Sequence, residues 1–115
     1  MLQLTPQQRF FLGIAPLDFR KGIDGIVAVC KQKLQADPMG GAWFVFTNRS
    51  RTAIKLLVYD GQGYWLCMKR FSQGRLSWWP QDATASKAIS AQHLQVLLHQ
   101  GNPSMTYIPP DWRSV

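Results

Sequence analysis

The chain has 115 residues, 46% of them hydrophobic, with five Trp, six Phe and three Tyr, and a formal net charge of +7. That length and aromatic content suit one domain with a real core and exclude a disordered chain, and no apolar run approaches membrane-spanning length. All six acids are Asp, and residues 49–75 hold six bases against Asp60 alone, so most of the positive charge sits in one patch suited to a polyanion.

No basic segment followed by a long apolar run opens the sequence, so a signal peptide is not expected. "TPQQ" (5–8) has the form of a capping box and predicts at most one helical turn. "RFFLGIA" (9–15) predicts a short apolar strand closed by Pro16. From Gly22 to Leu34 the period changes: Ile23, Ile26, Val27, Cys30 and Leu34 form one helical stripe. Asp24 near its start and Lys31 and Lys33 near its end suit the helix dipole, and "ADPMGG" (36–41) stops it.

A β-rich block follows. "AWFVFT" (42–47) and "TAIKLLVYD" (52–60) alternate as strands, separated by the polar turn "NRSR" (48–51). "DGQG" (60–63) is a hairpin turn, because Asp and Gly tolerate left-handed backbone; "YWLCMKR" (64–70) returns from it. Pairing about that turn opposes Tyr59 with Tyr64, Leu56 with Cys67 and Lys55 with Met68. "SQG" (72–74) turns again and "RLSWW" (75–79) predicts a last strand before Pro80, whereas "QDATASKA" (81–88) reads as a polar loop. Ser90 caps a helix running to Gln100, with Gly101 as terminator. Its apolar face is Ala91, Leu94, Leu97 and Leu98.

The expected architecture is α+β: an antiparallel β-meander of about four to five strands with two helices packed on one side. Residues 1–115 form a single domain, with a core over about 8–100 and an extended C-terminal tail at 102–115. Cys30 and Cys67 read as reduced core residues of a cytoplasmic protein.

The ordered motifs resemble those of the insertion sequence 66 accessory-protein family usually called TnpB, distinct from the RNA-guided nucleases that share the name. The resemblance rests on Asp18, Arg20, Lys21 and Gly22; on Phe44 and Phe46; on Ile54–Leu57; on Tyr59–Gly63; and on Lys69, Arg70, Gly74, Trp79 and Pro80. Phe71 departs from a frequent Leu. The resemblance implies a bacterial mobile-element protein that assists a separate, element-encoded transposase and acts at the nucleoid. It brings no established active site.

Catalytic chemistry finds little support in the residues themselves. Two-metal catalysis needs several acids on rigid elements, and Asp18 and Asp24 are the only acids within ten residues of each other. His93 and His99 lie six apart on a predicted helix, hence on different faces. A phosphate loop of the GxxxxGK[ST] type is absent from the sequence. We therefore expect no catalytic site, metal or cofactor.

The basic block is the better candidate. Lys55 and Lys69 are placed as diagonal neighbours on the hairpin, Arg49 and Arg51 project from the 48–51 turn, and Arg70 and Arg75 follow. Tyr59, Tyr64 and Trp65 could stack on bases or belong to the core. In "DFRKG" (18–22), Arg20 and Lys21 flank a helix entry that could seat a phosphate. The preferred reading is structural: Asp18 bonds the turn, and Arg20 pairs with Asp24 four residues on. The expected function is a non-catalytic transposition accessory protein that contacts DNA phosphates. The alternative is an adaptor that docks on the transposase with little DNA contact, which an exposed aromatic edge around Trp78 and Trp79 would favour.

Overall fold

The computed structural model describes residues 8–101. The expected capping turn at 5–8 and the tail at 102–115 lie essentially outside them. In chain order the elements are β1 (Phe10–Gly13), α1 (Ile23–Gln32), β2 (Trp43–Thr47), β3 (Ala53–Tyr59), β4 (Tyr64–Arg70), β5 (Ser86–Ile89) and α2 (Ala91–Leu98). The strands form one sheet in the order β4-β3-β2-β1-β5. The fold is α+β, and among the described residues no helix is long and apolar enough to cross a membrane.

The sheet is mixed rather than a plain meander. β2, β3 and β4 are consecutive antiparallel strands, but β1 runs parallel to β2, with Phe11 beside Phe44. The cause is α1, which carries the chain back along the sheet before β2 begins, as a parallel crossover requires. β5 is the second departure: residues expected to be a loop pair antiparallel with β1, Phe10 opposite Ile89 and Gly13 opposite Ser86. A four-residue edge strand needs few apolar side chains, because one edge and part of each face stay in water.

The expected strand over 75–79 does not form. Its buried residues, Leu76 and Trp79, are three apart, a spacing that alternation cannot bury on one face. This irregular segment instead plugs the core. The Leu76 N–H donates to the Arg51 carbonyl (2.8 Å), and the Trp79 indole N–H donates to the Gly13 carbonyl (3.0 Å).

The two helices lie on opposite faces of the sheet, not on one. Alternation along the strands explains the division. Phe10, Leu12, Trp43, Val45, Ile54 and Leu56 meet α2 through Leu94 and Leu97, with Phe71, Leu76 and Trp79 completing that layer. Phe44, Phe46 and Leu57 turn the other way, onto Ile26 and Cys30 of α1. The strands are thus apolar on both faces, and a single helical layer would leave one of them in water. Gly13 belongs to this packing: a Cβ there would stand 2.6 Å from the Phe46 ring.

Local signals set the helix ends. The Ser90 hydroxyl accepts from the His93 N–H (3.1 Å), the N-cap expected from sequence. At the other end Gln100, not Gly101, takes the left-handed conformation (φ +63°). Its N–H donates to the Leu97 carbonyl and that of Gly101 to the Val96 carbonyl, the pair of hydrogen bonds of a Schellman closure. Cys30 and Cys67 are both free thiols and sit in the two separate layers, and burial pushes the Cys30 thiol up to about 11.

Candidate nucleic-acid interface

The β3–β4 hairpin organises the basic block. Its register is the one expected, with Tyr59 opposite Tyr64, Leu56 opposite Cys67 and Lys55 opposite Met68. The Asp60 carboxylate accepts from the N–H groups of Gln62 and Gly63 and from the Trp65 indole (2.7 Å), and Gly61 supplies a positive φ of +98°. Those bonds, the two backbone ones first, hold the Asp60 carboxyl below its usual range.

The same register separates Lys55 from Lys69. Lys69 stands opposite Ile54, one step from Met68, so the two lysines fall on opposite faces of the sheet. Lys55 is 8% exposed. Its ammonium donates to the carbonyls of Phe19 (2.8 Å) and Lys21 (3.0 Å) and lies 4.9 Å from the Phe19 ring centroid. It fastens the turn leading into α1 and is withdrawn from any DNA-facing surface. Lys69 is exposed, but its ammonium donates to the Leu98 carbonyl (2.7 Å) in the last turn of α2, 5.6 Å from the Phe71 ring. A clue was present in the sequence: a lysine inside "AIKLL", a run apolar on both faces, has no solvent face to occupy.

The 18–22 turn follows the structural reading, with a different ion pair. Asp18 accepts from the Arg20 N–H (3.0 Å) and pairs with the Arg20 guanidinium (2.7 Å), while Asp24 takes no part. The guanidinium hydrogen bonds, then the backbone one, hold the Asp18 carboxyl far below the usual range. This is the one ion pair formed among the described residues. Lys21 is exposed beside the turn.

Four arginines remain. Arg49 and Arg51 occupy the turn between β2 and β3, closed by the Arg51 N–H donating to the Asn48 carbonyl (3.1 Å). Arg70 ends β4 opposite Ala53, and the adjoining Phe71 N–H donates to the Thr52 carbonyl (3.0 Å). Arg75 precedes Leu76, whose N–H donates to Arg51 itself. These bonds bring three chain segments, and their arginines, to one end of the hairpin. Asp60 lies at the far end of seven-residue strands, about 20 Å away at the usual rise per residue. Arg49, Arg70 and Arg75 are exposed and Arg51 half-buried, and none pairs with a described carboxylate.

The aromatic candidates divide. Tyr59 and Tyr64 pack on each other at 5.1 Å, and Trp79 is buried at 4% with Trp78 half-buried beside it. Among the described residues the exposed large apolar side chains are Met39, Trp65 and Met68. Among the described residues no three His, Cys, Asp or Glu side chains come together as a metal site.

A sheet with a helix on each face, and four arginines without an ion-pair partner among the described residues at one end of its hairpin, define a small basic α+β protein. The IS66 Orf2-like protein family (TnpB_IS66) matches residues 8–105, and the chain belongs to that family. It is 33% identical over 98 residues to "Uncharacterized protein y4hO" of Sinorhizobium fredii (strain NGR234), covering 85% of this chain and 84% of that protein. "Uncharacterized protein y4jC" of the same strain is 34% identical over 67 residues, covering 58% and 57%. No solved structure matches. Family membership connects the protein with insertion-sequence transposition in an accessory role.

Proposed function

We propose that this protein is a non-catalytic transposition factor that holds DNA by its phosphates through Arg49, Arg51, Arg70 and Arg75. The observation that supports it is the gathering of four arginines, without carboxylate partners among the described residues, from three separate segments. Guanidinium groups match phosphate geometry and keep their charge at any physiological pH. Of the other expected cations, Lys69 is bonded to the Leu98 carbonyl, Arg20 is paired with Asp18, and Lys21 is exposed beside the 18–22 turn; Lys55 has no part in the surface. No base-reading helix or strand is invoked, so target choice falls to the element's transposase or to another partner.

An adaptor role, docking on the transposase, is the second reading. Trp79 does not support it, because its ring is core. Trp65 and Met68, 60% and 56% exposed on β4, do.

Fluorescence anisotropy with a duplex bearing the element's terminal repeat and with an unrelated duplex, across a salt series, tests the first reading. Four phosphate contacts predict a log–log slope of about −3.6, and Arg49→Ala with Arg75→Ala should flatten it by about 1.8. Equal affinity for the two duplexes assigns site selection elsewhere. No binding at low salt removes the DNA role and leaves the adaptor.

A further inference from the structure

The two edges of the sheet are unlike. β5 is only four residues long and carries the exposed Lys87, the usual way of blunting an edge. β4 has seven residues and presents Trp65 and Met68 to solvent. Flanking hydrogen bonds show which of its backbone groups are unpaired. The Asp60 N–H donates to Gly63, and the Phe71 N–H donates to Thr52. Odd-numbered residues of β4 are therefore the ones that exchange bonds with β3. Tyr64, Leu66, Met68 and Arg70 turn their N–H and C=O groups outward.

The sequence of that edge, Tyr-Trp-Leu-Cys-Met-Lys-Arg, is complementary to itself when reversed. Two antiparallel copies centred on Cys67 oppose Leu66 with Met68, Trp65 with Lys69 and Tyr64 with Arg70. Each cationic end then lies against the partner's aromatic end, an attractive cation–π arrangement. A parallel pairing in register would set Lys69 and Arg70 beside their own copies, and like charges directly opposite destabilise a sheet. The hydrogen-bonded pairs would be Leu66–Met68 and Tyr64–Arg70, matching the outward groups. Cys67 would face Cys67 in a non-hydrogen-bonded pair, with Cα atoms about 4.5 Å apart.

We propose that β4 is a self-association surface, joining two copies of this chain edge to edge through the antiparallel register centred on Cys67. The proposal does not rest on the phosphate-binding reading, although Arg70, the last residue of β4, serves in both.

Sedimentation velocity of the full-length protein in reducing buffer, without DNA, should show a dimer growing with concentration. Amide exchange should slow at Leu66 and Met68 as it forms. Met68→Pro removes an outward N–H that β3 does not use, a position where an edge strand tolerates proline. Met68→Lys sets a cation within the apolar centre instead. Both should return a monomer with an unchanged far-ultraviolet circular dichroism spectrum. Under copper–phenanthroline, which takes up the two electrons as the paired thiols lose their protons, the wild type should give a covalent dimer that Cys67→Ser abolishes. The Cα spacing lies within the range a disulfide bridges. A monomer at every concentration overturns the proposal. So does a dimer that survives both Met68 substitutions. A monomer whose Leu66 and Met68 amides already exchange slowly also overturns it, and gives the edge to another part of the chain.

Discussion

The two faces of the sheet carry a helix each, and each helix is tied down by one lysine of the same hairpin. Lys55 reaches the entrance of α1 from a buried position and serves two carbonyls; Lys69 reaches the exit of α2 from the surface and serves one. The α1 face is closed by the helix and the flanks of its connections. The α2 face, whose helix has eight residues against ten, needs Phe71, Leu76 and Trp79 from irregular chain to finish it. Two identical side chain types, at positions one step from being paired, thus do work of different value because one is dry and the other wet.

The sharpest way to break the comparison is at Trp79. Trp79→Ala removes the largest plug of the α2 face and the bond to Gly13, and should cost about 3–5 kcal/mol in urea unfolding. A loss below about 1 kcal/mol would mean that α2 alone closes its face.

The lysines come next. Lys55→Met keeps the volume but leaves the Phe19 and Lys21 carbonyls without their donor, so a loss of about 1.5–3 kcal/mol is expected. Lys69→Met should cost only about 0.3–1 kcal/mol, the worth of a cation at an exposed helix C-terminus. Equal losses in parallel unfolding curves would erase the distinction between the faces.

The smallest effect is a gain. The Tyr64 hydroxyl, on the α1 side, is buried without a hydrogen-bond partner among the described residues. Tyr64→Phe should therefore raise stability by up to about 1 kcal/mol, read as a higher urea midpoint at unchanged slope. A lowered midpoint would show that the hydroxyl is satisfied.

Much of the candidate interface was legible before the fold. The concentration of bases over 49–75 and the hairpin register about Asp60 are properties of neighbouring residues, and both appear in the structure. The structure does not keep Lys55 and Lys69 in one patch. Diagonal neighbours one residue apart in register alternate across the sheet, and "AIKLL" had no polar face for Lys55 to use. Arg70 and Arg75 were named as cations, but their approach to Arg51 depends on the Leu76 bond to Arg51, which no local pattern encodes.

The sequence by itself determined what short-range geometry controls. The α1 stripe, the Ser90 cap, the Asp60–Gly63 turn and the strand boundaries of β4 all follow from residues a few positions apart. Tertiary structure alone decided that β1 runs parallel to β2, that Ser86–Ile89 becomes an edge strand, and that Trp79 is core rather than surface. Each of those outcomes needs a backbone or apolar partner far away in the chain. A segment's own composition cannot say which distant partner will satisfy its hydrogen bonds, because burial is a property of the assembled layers.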